Sequence, residues 1–317
     1  MLTPTEFWDR EVASPTVHDW MANLAVRHYI NRSIGGENGT WPLDWFQKEF
    51  PGHFPRALSI GCGSGALERD LLRRGIVGSV DAFDGSEVSL AMARDAARAE
   101  GYCDRIKYFA ADFNTVLLPL RSYDLVCFHQ SLHHVSRVER LLRQVRSSLR
   151  PGGLLYLDEF IGPSRNYWNE YRIRWYRALY EFFPREMRYF DEFALPVQYD
   201  DESEAIRSNE IMSRLRIGFD IEAFRGYGGN VMAVMFPNLR PEKISDEAVD
   251  VMIRSERALL KAGDPHFHAV IVARPRESIL SRSFSTLRYI AEPKLRRVAR
   301  EIAARTSRGR DKPLDWS

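Results

Sequence analysis

Three glycines at alternate positions, Gly61, Gly63 and Gly65, follow the apolar run Ala57-Leu58-Ser59-Ile60. They precede Ala66-Leu67-Glu68-Arg69-Asp70-Leu71-Leu72, where apolar residues recur at helical spacing. Strand, glycine turn and helix N-terminus together let backbone N–H groups approach a nucleotide-like ligand, an approach that a Cβ would obstruct. Asp84 ends a second apolar run about 20 residues past the first glycine, where a carboxylate can accept hydrogen bonds from both ribose hydroxyls. Two imidazoles sit together in Gln130-Ser131-Leu132-His133-His134-Val135, and Asp158-Glu159 close a later apolar run. An imidazole titrates near neutral pH, so His133 or His134 is the first candidate for a general base, with Glu159 the second. Asp158, Glu159 and Asp112 could offer oxygen ligands to Mg²⁺, but their spacing makes no convincing set, and no metal is assigned.

Each of these residues also has a plain structural reading. The glycines could form only a tight turn, Asp84 could be a helix N-cap, and Asp112 could be a turn residue. The histidines could start a helix at the surface, and Asp158-Glu159 could be a solvated pair.

Regular alternation of strand and helix patterns from Phe54 onward positions these residues. Strands are expected at 56–60, 78–84, 106–110, 123–128 and 154–158. Helices are expected between them, one over 86–100 with Val88, Met92 and Ala96 on one side and one over 137–149 that stops at Arg150-Pro151-Gly152-Gly153. Such interleaving implies a doubly wound parallel sheet with helices on both faces. Its strand C-termini then gather on one rim, where ligands bind. A helix over 204–215, a strand over 219–224, a glycine turn at 226–229, a helix over 246–262 and a strand over 267–273 follow. Residues 1–54 read as an N-terminal helical cover, with Pro42 in the first turn of a helix, and 55–275 as the main domain. Within that domain, 162–205 is an insertion rich in arginine and aromatic residues, placed to act as an acceptor lid. The final stretch, 276–317, is a basic tail.

The 317-residue chain is nearly neutral at +2, but Arg274–Ser317 holds twelve Lys/Arg against five Asp/Glu, leaving the remainder at −5. Within the tail, Leu295, Val298, Ala299 and Ile302 share one helical face. This is a short basic amphipathic helix that can lie on an anionic membrane or dock on its own domain. The N-terminus lacks a basic segment followed by an apolar one, and three scattered cysteines, Cys62, Cys103 and Cys127, suit free thiols in a reducing compartment. A cytoplasmic protein is expected, with the inner membrane face reachable through the tail. An acidic body argues against nucleic acid as the partner.

The glycine turn, Asp84, Asp112-Phe113, the 130–135 segment and Leu149-Arg150-Pro151-Gly152-Gly153-Leu154 together resemble the class I S-adenosylmethionine (SAM)-dependent methyltransferases in order and spacing. The likeness is strong over 55–160 and looser over 205–275. It implies a mostly parallel seven-stranded sheet and SAM as cofactor, held by Ser59, Gly61, Gly63, Gly65, Asp84, Gly85, Asp112, Phe113 and Gln130. Asp112 would take the adenine amine and Phe113 would pack on the ring. One departure stands out: Ser59 occupies a position, two before the first glycine, where the family often carries an acid. The implied reaction is in-line methyl transfer, most simply to a hydroxyl of a small molecule or glycan, with Arg165, Tyr167 and Trp168 as acceptor contacts. Gly61-x-Gly63-x-x-Ala66 also satisfies a relaxed dinucleotide fingerprint. An NAD(P)-dependent oxidoreductase and a catalytically silent partner subunit therefore remain alternatives.

Overall fold

The computed structural model describes residues 20–37, 39–165, 167–197 and 201–276. A short helical turn, Trp20–Ala22, leads into α1 (Leu24–Gly35), whose first turn is capped by the Asn23 carboxamide oxygen accepting from Ala25 N–H at 3.0 Å. Pro42 opens α2 (Pro42–Glu49). The alternating unit follows: β1 (Phe54–Ile60), α3 (Ala66–Arg73), β2 (Val77–Asp84), α4 (Glu87–Ala99), β3 (Ile106–Ala110), β4 (Tyr123–His129), α5 (Val138–Ser148) and β5 (Leu149–Phe160). Then come α6 (Glu170–Phe182), α7 (Ile211–Gly218), β6 (Phe219–Gly228), α8 (Met232–Met235), α9 (Asp246–Lys261) and β7 (His268–Pro275).

The seven strands lie in the order β3-β2-β1-β4-β5-β7-β6, all parallel except β7, which is antiparallel to both β5 and β6. Period-two alternation divides the core between the two faces. Ala57, Leu125 and Leu154 pack on one side, and Leu58, Val126 and Leu155 on the other. The chain runs outward from β1 through β2 and β3, then crosses back to place β4 on the other side of β1. The C-terminal ends of β1 and β4 thus flank the point where strand order reverses, which opens a crevice there. The glycine turn leaves one of these ends and the two histidines leave the other.

Four local expectations change. The face of α4 turned to the sheet carries Leu90, Ala93 and Ala97, while Val88 and Met92 are exposed. Alanines at the contact let the helix come close to the glycine turn, which outweighs the larger side chains at 88 and 92. Strand β5 begins at Leu149, so Arg150–Gly153 lies within a strand that shifts register against β4. Residues 201–207 form turns rather than the start of a helix, and α7 begins only at Ile211, after a short 3₁₀ turn, Ser208–Glu210. The segment 226–228 continues β6, and the apolar 231–236 stretch is helical. Among the described residues, no helix is long and apolar enough to cross a membrane. The basic tail beyond Arg276 lies outside the described residues.

Candidate active site

The backbone of the turn is left-handed at each of its glycines, with φ of 72° at Gly61, 52° at Gly63 and 75° at Gly65. A Cβ on Gly61 would sit 2.4 Å from the Ser131 Cβ, and one on Gly65 would sit 2.4 Å from the Tyr108 hydroxyl and 3.0 Å from the Ala93 Cβ. A Cβ on Gly63 would meet nothing, because that position faces open space. Asp84 braces the turn: one carboxylate oxygen accepts Gly63 N–H at 2.8 Å and the other accepts Ser86 N–H at 2.9 Å. Ser86 in turn caps α4 through Ser89 N–H.

These residues enclose a cavity of about 740 Å³ lined by Ser59, Gly61, Gly63, Asp84, Gly85, Asp112, Phe113 and Gln130, together with Glu68, Asn114 and His129. Its volume and its mix of backbone, carboxylate and aromatic groups suit a nucleoside. Gly65 is the one nominated cofactor residue outside the lining, and its close contacts make it a packing residue between turn, helix and β3. The Asp112 carboxylate accepts Asn114 N–H at 2.9 Å and the Thr115 hydroxyl at 3.0 Å, and Phe113 packs on Phe83 with ring centroids 5.8 Å apart.

A second cavity, of about 1010 Å³, lies alongside. The N-terminal cover contributes Trp20, Ile30, Trp41 and Leu43; the other walls include Phe160, Trp168, Val197, Val234 and Phe267. Arg165 is also on its lining, with its guanidinium donating to the Asp201 carbonyl at 2.8 Å. Tyr167 is turned outward, 74% exposed, and lines neither cavity. The two spaces share a wall made of Ala66, Leu67, His129, Gln130 and His134.

At this wall the histidines are held from behind. The fully buried Glu159 carboxylate accepts Ser131 N–H at 3.0 Å and Leu132 N–H at 2.7 Å and is hydrogen-bonded to His133 Nδ1. Glu159 therefore lines neither cavity; it orients the imidazole and fixes its charge. His134 Nδ1 lies 3.2 Å from the Ser203 hydroxyl and 3.6 Å from the buried Asp201 carboxylate. The Nε2 atoms of His133 and His134 approach the same Glu204 oxygen, at 3.8 and 3.6 Å. Burial disfavours a charged His133, but Glu159 and then Glu204 outweigh it and push its pKa up to about 9. His134 goes the other way, lowered by burial and by the positive charge of its neighbour. Near neutral pH the pair thus carries one positive charge, on His133, and His134 is neutral. Among the described residues, His133, His134 and Glu204 also bring one ligand atom each within 4.8 Å of one another, a set able to take a cation.

Several residues here were not nominated from the sequence. Asp201, Ser203 and Glu204 reach the histidines because 201–207 is a turn. Tyr227, expected in a glycine turn, is a buried strand residue whose hydroxyl donates to Asp158 at 2.6 Å. Gln130, with φ of 49°, donates through its side-chain amide to the Tyr227 oxygen at 3.2 Å and to the Asp158 carbonyl at 3.3 Å. No local pattern announces these partners.

Residues 58–157 match a family model described as a methyltransferase domain. The 27-O-demethylrifamycin SV methyltransferase of Amycolatopsis mediterranei is 35% identical over 153 residues, covering 45% of this chain and 53% of that protein. The ubiquinone biosynthesis O-methyltransferase of Aeromonas salmonicida is 32% identical over 117 residues, 37% of this chain and 48% of that protein. The chain thus spans about half the length of these curated relatives. Phosphoethanolamine N-methyltransferase 2 of Haemonchus contortus, solved with S-adenosyl-L-methionine, superposes with a TM-score of 0.52 at 18% identity, over 87% of this chain and 61% of that one. That likeness is one of fold.

Proposed function

The chain carries a class I SAM-dependent methyltransferase domain, and from that premise we propose that the protein methylates a hydroxyl of a small, largely apolar molecule with His134 as general base. The observation that carries this reading is the wall shared by the two cavities, with a neutral imidazole on it.

The donor would be held by the glycine turn, by Asp84 toward the ribose, and by Asp112 and Phe113 toward the base. When bound, SAM supplies a methyl group on positively charged sulfur, so the protein's task is alignment and removal of one proton. Phe160, Trp168, Val197, Val234 and Phe267 offer apolar and aromatic surface to an acceptor, while Arg27, Arg69, Arg73, Arg74 and Arg165 on the same lining each donate to an acceptor of the protein itself. This favours an apolar acceptor over a glycan. His134 Nε2 would take the acceptor's hydroxyl proton as the methyl group leaves sulfur, which retains the bond electrons, for the acceptor oxygen. His133 keeps its own proton against Glu159 and holds the adjacent ring in place. The 27-O-demethylrifamycin SV methyltransferase and the ubiquinone biosynthesis O-methyltransferase are both named for oxygen positions, which supports oxygen as the acceptor atom.

Calorimetry with S-adenosylhomocysteine and with NAD(P) tests the donor reading; binding of the first alone is expected. Labelled SAM is then offered to a panel of hydroxylated polycyclic, macrocyclic and sugar compounds. Label transfer to the apolar members supports the acceptor class. Transfer to sugars alone, or to amines alone, overturns it.

A further inference from the structure

Three carboxylates line the donor cavity: Asp84, Asp112 and Glu68. The first two are occupied by N–H and hydroxyl groups of their own turns. Glu68 differs. It sits in the first turn of α3, next to Ala66 and Leu67 of the shared wall, and is fully buried. Both its oxygens are sealed from water, and the polar groups against them are uncharged, the Ser59 side chain of β1 and the residue's own backbone N–H. Its other close polar neighbours, Cys62, Cys127 and Tyr108, are uncharged groups. The nearest cations are engaged or exposed. Arg69 is bound to Glu100 at 2.8 Å and to the Ser64 carbonyl at 2.8 Å, and His129 is 53% exposed and 3.8 Å from Asp158.

Burial pushes the Glu68 pKa up, and its ionised form, without a cation in contact, is a costly one that a ligand cation would stabilise. Such a group on a cavity wall fits a site completed by a ligand cation. We propose that Glu68 is the anionic anchor for the ammonium group at the amino-acid end of the donor. This rests on the donor reading above and names the residue that holds one end of it. With the nucleoside held at Asp84 and Phe113, the amino-acid end would lie toward Ala66, Leu67 and Gln130, the side of the lining to which Glu68 belongs. Ser59 is small enough to leave room for that side chain.

The test compares S-adenosylhomocysteine, which has the ammonium, with 5′-methylthioadenosine, which lacks the whole amino-acid end, by calorimetry on the full chain. For Glu68→Gln, which keeps the shape, S-adenosylhomocysteine is expected to bind about 10- to 100-fold more weakly, the range of a lost charge-assisted hydrogen bond. Methylthioadenosine affinity should stay within about twofold, as for a subsite that the smaller ligand never touches. The double variant Ser59→Asp/Glu68→Ser returns a carboxylate to the same space from the strand and should recover most of the loss, which separates charge from folding. Equal weakening of both ligands, or none of either, overturns the assignment, because Glu68 would then only shape the turn or do nothing. Wild-type protein that binds neither ligand would overturn the donor reading itself, a distinct failure that carries this assignment down with it.

Discussion

Replacing Glu159 by Gln isolates the charge that sets the two histidines apart. The amide oxygen of glutamine can still accept Ser131 or Leu132 N–H, so the turn after β4 keeps a backbone partner while the carboxylate charge is lost. An imidazole held at about 9 rather than 6.5 prefers its charged form by roughly 3 kcal/mol. Both partners are buried, so solvent screening removes little of this. The expected loss of stability near pH 7 is about 2–4 kcal/mol, in line with breaking a buried pair from one side.

The pH dependence has a definite sign. A raised His133 pKa stabilises the fold fully below 6.5, and that contribution disappears as pH rises through about 9. The Glu159 carboxylate is itself held below its ordinary value: burial opposes this, but His133 and the two backbone N–H groups outweigh it. Its share is present above the ordinary carboxylate range and is lost as pH falls through the lowered value. The gap between wild type and Glu159→Gln should therefore be widest between the ordinary carboxylate range and pH 6.5, should still be large at pH 7, and should close above about pH 9. Urea unfolding at a series of pH values measures it, and NMR of ring-labelled histidine locates the proton. A gap under about 1 kcal/mol at pH 7, or one unchanged between pH 7 and pH 10, would refute the pairing as the source of His133's charge.

Three further outcomes follow from the geometry. His134→Asn should lower kcat by about 10²- to 10⁴-fold, the usual worth of a general base, and change S-adenosylhomocysteine affinity far less. Because His134's pKa is lowered, the wild-type rate should be flat through neutrality and fall only as pH drops toward about 4; a rate that climbs through about 9 would point to His133 instead. Gly65→Ala forces a Cβ to within 2.4 Å of the Tyr108 hydroxyl at a φ of 75° and should cost about 1–3 kcal/mol in unfolding experiments. Gly63→Ala meets open space and should spare more of the packing while weakening nucleoside binding. Dialysis against a chelator should leave methyl transfer intact, and added Zn²⁺ should inhibit it by capturing the imidazole nitrogens and Glu204. Loss of activity on chelation, restored by the metal, would recast the histidines as ligands.

What could be read from the sequence was what is local. The glycine turn, Asp84 and the strand–helix alternation are encoded within spans of a few residues, where φ preference, capping and periodicity act directly. The orientation of α4 was not legible, because positions 88, 92 and 96 and positions 90, 93 and 97 both have helical spacing; choosing between them requires knowing how closely the helix meets Gly65. The histidines were visible as residue types, but their opposite titration was not. It depends on β4 lying beside β5, which brings Glu159 to His133, and on the turn at 201–207, which brings Asp201 and Glu204 to His134 from about seventy residues away. Glu68 was hidden in another way. In the sequence it is one more charged residue in an amphipathic helix, and only the sheet beneath that helix shows that its charge points inward. The residues that define a ligand pocket's floor are supplied by neighbouring strands, and parallel order makes those strands distant in sequence. Charge at such a site is therefore a property of the topology first and of the motif second.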